Sequence, residues 1–359
     1  MMLSLLTTLP QYFLDGAVRA LEGFSRGTQD TYPISEDLPP VTPYELVFET
    51  GKARLRRYPA LRERCATPLI LCNPPIKRPD VLDLMPGRSM VETLTRHGVK
   101  VYLIDWVPPS RADSWRGFDA YCNGDIANVV RAVQILENVE QVSLLGYCLG
   151  GIMTVVYTAL HPDPVKNLIA LTMPINADRG EAPVFQMMRR IRPETADLIL
   201  AAYGNCPAWM VGAGFTGMSL VHHMLDKYVG LYRNQDNAGY VDMFNRFERW
   251  VSNEVAFPGQ LFKELAVDFF RNNLLAKNQM SVGGETVDLR NIKCPVLSVL
   301  GENDDVVDLD TALPFVDLVA SSDKRNLVFP TGHVGALVSG GAHKKLWPEV
   351  ATWLAERDS

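Results

Sequence analysis

Val142-Ser143-Leu144-Leu145-Gly146-Tyr147-Cys148-Leu149-Gly150-Gly151 reads as a short apolar strand, a tight turn between glycines, and a helix that begins near Gly150 and runs toward His161. Gly-x-nucleophile-x-Gly is the pattern of a nucleophile elbow, here with Cys148 where serine is commoner. A nucleophile on so sharp a turn takes a strained backbone conformation, and the residues two positions away must lack a Cβ for strand and helix to approach closely. The backbone N–H of Leu149, at the start of the helix, then points where an oxyanion would form. A thiol is the better nucleophile if a base or the helix N-terminus favours its thiolate. The alternative is a buried cysteine acting as a small hydrophobe, and the rest of the chain has to decide.

Outward from this stretch, short apolar strands alternate with helices. Tyr44–Thr50 alternates like an edge strand and Ala53–Tyr58 suits a hairpin partner after Gly51. Pro68–Cys72, Lys100–Ile104, Gln141–Leu145, Asn167–Met173, Cys294–Leu300 and Asn326–Phe329 are apolar along their length, as strands buried on both faces are. Between them lie helices over Met90–His97 (closed by Gly98), 118–136, 309–320 and Lys344–Glu356. This rhythm predicts a mostly parallel sheet covered on both faces. From 178 to 288 it breaks into a helical stretch rich in Met and aromatic residues, with no buried strand, which reads as an inserted cap. The expected organisation is an N-terminal helix and linker (1–43), a first core segment (44–177), the cap (178–288) and a second core segment (289–359).

Bulk properties exclude several classes. Across 359 residues the formal charge is -6, and no Lys/Arg-rich block points to nucleic acid. The six cysteines form no C-x-x-C pair, so neither a zinc site nor a disulfide framework is indicated, and a reducing, cytoplasmic compartment follows. The apolar N-terminus lacks a basic region and a cleavage site, so no signal peptide is expected, and no apolar run reaches membrane-spanning length. Residues 10–25 place Phe13, Ala17, Ala20 and Phe24 on one helical face. Such a helix docks on the body or, alternatively, lies on a lipid-like or polymer surface.

In elbow enzymes the acid and the histidine follow the nucleophile in chain order, from loops after later strands. The strand ending at Leu300 is followed by Gly301-Glu302-Asn303-Asp304-Asp305, and that ending at Phe329 by Pro330-Thr331-Gly332-His333. Cys148, Asp304 and His333 therefore stand at the right strand ends in the right order, with Asp305 as the rival acid. Asp308 and Asp310 suit the N-terminus of the next helix, Glu302 a solvated position, His161 a helix C-terminus and His343 the surface. His222 and His223 in the cap have no spaced partner for a metal. A second oxyanion donor is expected from the loop after Cys72. Pro74 and Pro75 carry no N–H, so Ile76 is the first following residue able to donate.

Gly146-Tyr147-Cys148-Leu149-Gly150-Gly151 resembles the lipase-box-like motif of polyhydroxyalkanoate (PHA) synthases, in which cysteine replaces serine. The resemblance extends through Val101–Trp106, Asn167-Leu168 with Pro174-Ile175, Phe247-Glu248-Arg249-Trp250, Asp268–Asn273, Cys294–Leu297 and Phe329–Gly335. The short chain resembles the class III catalytic subunit, PhaC; class IV is similar in length. Asp305 departs from the histidine that usually follows the catalytic aspartate, Asp308 from a usual proline, and Leu149 from the glutamine common in class III. What the resemblance implies is an α/β-hydrolase fold carrying a Cys148–Asp304–His333 acyltransferase. It would polymerise (R)-3-hydroxyacyl-CoA with release of CoA, through an acyl-cysteine and without a separate cofactor or metal. It further implies a PhaE-like second subunit, self-association and residence on storage granules. A thioesterase or lactone hydrolase of the same fold, and an inactive granule scaffold, are the alternatives.

Overall fold

A computed structural model describes residues 41–218, 233–234 and 236–358. The helix read at 10–25, most of the linker, and His222 and His223 lie outside the described residues.

The main sheet has the order β1-β2-β4-β3-β5-β6-β9-β10. Its strands are β1 (Glu45–Thr50), β2 (Ala53–Tyr58), β3 (Leu69–Cys72), β4 (Val101–Trp106), β5 (Val142–Tyr147), β6 (Val165–Leu171), β9 (Val296–Gly301) and β10 (Lys324–Phe329). β2 runs antiparallel to both β1 and β4, and the remaining pairs are parallel. β3, β4 and β5 are buried residue by residue, as the continuous apolar runs require.

Alternation along these strands divides the interior into two cores, because successive side chains leave opposite faces of a strand. Ile70, Ile104, Leu144 and Leu168 face one core, and Leu71, Leu103, Leu145 and Ile169 the other. Helices α2 (Ala127–Glu137) and α3 (Leu149–Leu160) cover the first face. Helix α1 (Met90–Arg96) and the last helix, Trp347–Ala355, which buries Trp347 and Trp353, cover the second.

Between β6 and β9 come helices α4 (Pro183–Arg190), α5 (Pro193–Tyr203), α6 (Ala208–Met218), α7 (Ala238–Ser252) and α8 (Gly259–Glu264). α8 continues into a π-helical stretch, Leu265–Arg271. Phe185, Ala196, Leu261 and Phe269 from this segment are buried in the first core. The segment also contains strands, β7 (Ser281–Val282) and β8 (Glu285–Thr286), paired across Gly283 and Gly284 at φ 60° and 84°. The Gly-Gly pair supplies the positive φ a two-residue hairpin needs, but two-residue strands are too short for alternation to register.

Three expected helices differ in detail. The 118–136 helix begins as a π-helical turn, Ala120–Ile126, and the final helix likewise opens as one at Ala342–Leu346. The 309–320 helix is two single turns, Leu309–Ala312 and Phe315–Leu318, divided at Pro314, whose ring cannot continue a helix interior.

Candidate active site

β5 delivers Cys148 to the elbow at φ 53° and ψ -121°, a conformation that costs roughly 1–3 kcal/mol for a residue with a Cβ. The surrounding glycines are there for space. A Cβ on Gly146 would lie 2.2 Å from Thr154 Oγ1 and 2.5 Å from the Gly150 carbonyl oxygen. One on Gly150 would lie 2.2 Å from the Cys72 carbonyl oxygen. The N-terminus of α3 is thereby pressed onto the end of β3 and the loop that follows it. The amides of Gly151 and Ile152 donate to the Cys148 carbonyl at 2.9 and 3.2 Å. The Leu149 amide lies one step nearer the helix start, among the first four N–H groups that lack intrahelical acceptors.

The acid and histidine loops are laced together. The Glu302 amide donates to the Phe329 carbonyl at 2.8 Å and the Asn303 amide to the Thr331 carbonyl at 3.0 Å. Asp304 folds its own turn, with Oδ1 accepting from the Val306 and Val307 amides at 2.9 and 2.8 Å. Its other oxygen lies 2.8 Å from His333 Nδ1, and the Asp304 side chain is 1% exposed. Asp305, one residue on, is exposed.

His333 is buried, bonded to Asp304, and close enough to Cys148 for the two side chains to interact electrostatically. With Nδ1 engaged by the carboxylate, Nε2 is the nitrogen left for the thiol. Burial disfavours the imidazolium. The charges of Asp304 and Cys148, with the hydrogen bond to Asp304, overcome it and push His333 up to about 10. Tyr147 stacks on this ring with centroids 5.1 Å apart and planes tilted by 36°. Cys148, Asp304 and His333 are thus gathered in one place.

Cys72 and Cys122 are fully enclosed, and burial pushes their thiols up, as it does Cys206 and Cys294, each to about 12. Raised thiols of this kind are inert. Cys148 and Cys294 are half-buried.

Ile76 lies buried in the loop after β3. Asn73 shapes that loop: its carbonyl accepts from Trp106 Nε1 at 2.7 Å, and its Nδ2 donates to the carbonyls of Pro74 and Lys77 at 3.1 and 3.0 Å. Neither Asn73 nor Tyr147 stands out in the sequence as a site residue, although both adjoin residues that do.

The remaining sequence candidates are placed elsewhere. Glu302 is exposed, and His161 ends α3 with Nε2 2.7 Å from Asn123 Oδ1. His343 is half-buried rather than on the surface, because Nδ1 packs 3.0 Å from Thr93 Oγ1 on α1. Asp308 precedes the helical turn it was expected to cap, yet Oδ2 turns away to accept from the Glu181 and Ala182 amides at 2.7 and 2.8 Å. It ties down the two residues leading into α4 instead, partners 127 and 126 residues away that no local pattern announces. Among the described residues, no group of three His, Cys, Asp or Glu side chains gathers as a cation site.

Sheet order, strand directions and elbow define an enzyme of the α/β-hydrolase class. Residues 78–339 match the α/β hydrolase fold family. A monoacylglycerol lipase from Paleococcus ferrophilus superposes with a TM-score of 0.56 at 14% identity, covering 86% of this chain and all of that one, a likeness of fold alone. Sequence comparison narrows the class. The chain is 32% identical to the poly(3-hydroxyalkanoate) polymerase subunit PhaC of Allochromatium vinosum, over 88% of its own length and 89% of that protein's. It is 36% identical to the PhaC of Haloferax mediterranei, over 88% of its own length but 64% of that longer chain. The protein belongs to the PhaC family of poly(3-hydroxyalkanoate) polymerases, which are acyltransferases.

Proposed function

We propose that this chain polymerises (R)-3-hydroxyacyl-CoA, with (R)-3-hydroxybutyryl-CoA as substrate, and that Cys148 carries the growing acyl group. The observation that carries the reading is the His333 ring bonded to Asp304 and interacting with Cys148 in a PhaC-family chain.

In this mechanism His333 Nε2 takes the Cys148 proton and the thiolate attacks the thioester carbonyl. The Leu149 amide, with that of Ile76, stabilises the oxyanion; each such donor is worth on the order of 10²–10³-fold in rate. The C–S bond to CoA breaks, CoA leaves as its thiol with the proton returned by His333, and the acyl group remains on Cys148 as a thioester. Its energy is close to that of the substrate, because one thioester has been exchanged for another. The 3-hydroxyl of a second hydroxyacyl-CoA, deprotonated by His333, then attacks that thioester: an oxoester C–O bond forms, the C–S bond to Cys148 breaks, Cys148 takes the proton back from His333, and the chain, one unit longer, is left on CoA, from which Cys148 recovers it by the same thioester exchange. Asp304 holds the ring in the tautomer that leaves Nε2 free and stabilises the imidazolium. The reaction draws on no cofactor beyond the CoA of its substrate. The helical segment 178–288 acts as a cap that keeps water from the acyl-cysteine.

The resemblance to class III further supports a PhaE-like partner, self-association and residence at the granule surface. Among the described residues no helix is long and apolar enough to cross a membrane, which suits attachment to a polymer surface from outside. Incubation of the purified protein with (R)-3-hydroxybutyryl-CoA tests the reading: CoA release with insoluble polyester is expected. Free 3-hydroxybutyrate as the main product would make the protein a thioesterase.

A further inference from the structure

Resting on that reading, and deepening it, we propose that Lys77 and Trp250 are positioning residues that clasp the oxyanion loop to the C-terminal end of cap helix α7, so that the Ile76 donor is in place only while α7 is docked. Neither residue touches the reacting atoms. Both act through the loop.

The loop from Asn73 to Arg78 is held from two sides. On the sheet side, Trp106 Nε1 donates to the Asn73 carbonyl at 2.7 Å, and Arg78 pairs with Asp105 of β4 at 3.1 Å. On the other side stands α7. Lys77 Nζ donates to the Val251 carbonyl at 2.7 Å, and Trp250 Nε1 donates to the Arg78 carbonyl at 2.9 Å. Lys77 also forms an isolated antiparallel bridge with Glu254, just beyond the helix, and its ammonium lies 5.7 Å from the Trp250 ring centroid. Ile76 lies inside this frame, next to the residue that makes the bridge.

The chemistry favours this junction. The last carbonyls of a helix have no intrahelical donor, and a cation there also meets the negative end of the helix dipole. Lys77 supplies both the donor and the charge. The site is only partly wet: burial pushes Lys77 down to about 8, against the pull of Glu254, and pushes Glu254 up. Trp250 packs against the same core as Cys148, Phe329 and Val334, so the clasp is continuous with the catalytic floor. α7 buries none of its residues completely, and its register on the body leans on these bonds together with that from Arg246 Nη1 to the Leu84 carbonyl at 3.5 Å. Release of α7 removes one wall of the loop and frees the Ile76 amide to move.

The test uses Trp250→Phe, which keeps an aromatic ring but loses the N–H, and Lys77→Met, which keeps the stem but loses the ammonium. Two rates at Cys148 are compared: single-turnover acylation by (R)-3-hydroxybutyryl-CoA, which needs an oxyanion site, and alkylation by iodoacetamide, which forms none. A misplaced donor should slow acylation by about tenfold to a hundredfold, while alkylation stays at the wild-type rate. Lys77→Arg, which keeps a cation within reach of the Val251 carbonyl, should restore much of the loss. Acylation at the wild-type rate in both variants overturns the proposal, and so does a parallel fall in the two rates, which marks general disturbance of the site. Amide exchange over 73–78 reads the clasp without any substrate. Faster exchange in both variants is expected, and unchanged exchange refutes the clasp. Wild-type protein that is not acylated refutes the polymerase reading instead.

Discussion

Gly150→Ala is a demanding perturbation because the added methyl has nowhere to turn. Its Cβ would sit 2.2 Å from the Cys72 carbonyl oxygen, 2.8 Å from the Cys72 carbonyl carbon and 2.9 Å from that of Asn73. All three are backbone atoms, so no rotamer change relieves them. Restoring ordinary contact needs about 1 Å of separation between the start of α3 and the end of β3, an overpacking strain of typically 1–3 kcal/mol. The better helix propensity of alanine returns about 1 kcal/mol at most. Net destabilisation is therefore small, and the melting temperature should fall by no more than a few degrees. Activity should suffer more, because the shift separates the Leu149 amide from the loop carrying Ile76. A displacement of about 1 Å in a catalytic constellation can cost on the order of 10²-fold. Gly124→Ala is the control: it lies in a helical stretch with nothing within 4 Å of the added atom. Thermal melting and single-turnover acylation of Cys148 measure both effects. A Gly150→Ala protein acylated at the wild-type rate would refute the claim that the β3–α3 contact sets the oxyanion geometry.

Two further outcomes follow from the acid and the base. Asp304→Asn should reduce acylation by on the order of 10²-fold or more by weakening the hold on the His333 tautomer, whereas Asp305→Asn should stay within a few-fold of wild type; equal losses in turnover assays would remove the distinction between them. His333 has a folded value near 10 against 6.5 for the free side chain, so the fold stabilises its protonated form. The stability it contributes is full below about pH 6.5 and is lost as pH rises through about 10. The melting-temperature deficit of His333→Gln should accordingly be largest near pH 6 and shrink toward pH 10; a deficit constant across that window contradicts the coupling to Asp304.

Much of this was legible in the sequence because the information is local. Strands buried on both faces must be apolar throughout, so Leu69–Cys72 and Val142–Tyr147 announce themselves. The elbow glycines mark a close approach that no other residue permits. Asp304 and His333 follow from strand order once the elbow is recognised. What stayed hidden depends on contacts between distant segments or on turn geometry. Asp304 and Asp305 are adjacent and chemically alike, and only the turn built on the Val306 and Val307 amides aims one of them at His333. Asp308 finds its partners at Glu181 and Ala182, and Lys77 finds Val251 174 residues away. His343 owes its half-buried state to Thr93 on another helix. Pro314, by contrast, is a local signal for the break in the 309–320 helix, since its ring cannot continue a helix interior.

Whether Cys148 carries the acyl chain is read by intact-mass spectrometry after brief mixing with (R)-3-hydroxybutyryl-CoA. One acyl group, or a ladder of repeat units, should map to the peptide bearing Cys148, with none on Cys148→Ala. Labelling retained in Cys148→Ala, or polymer formed while Cys148 stays unmodified, would contradict it.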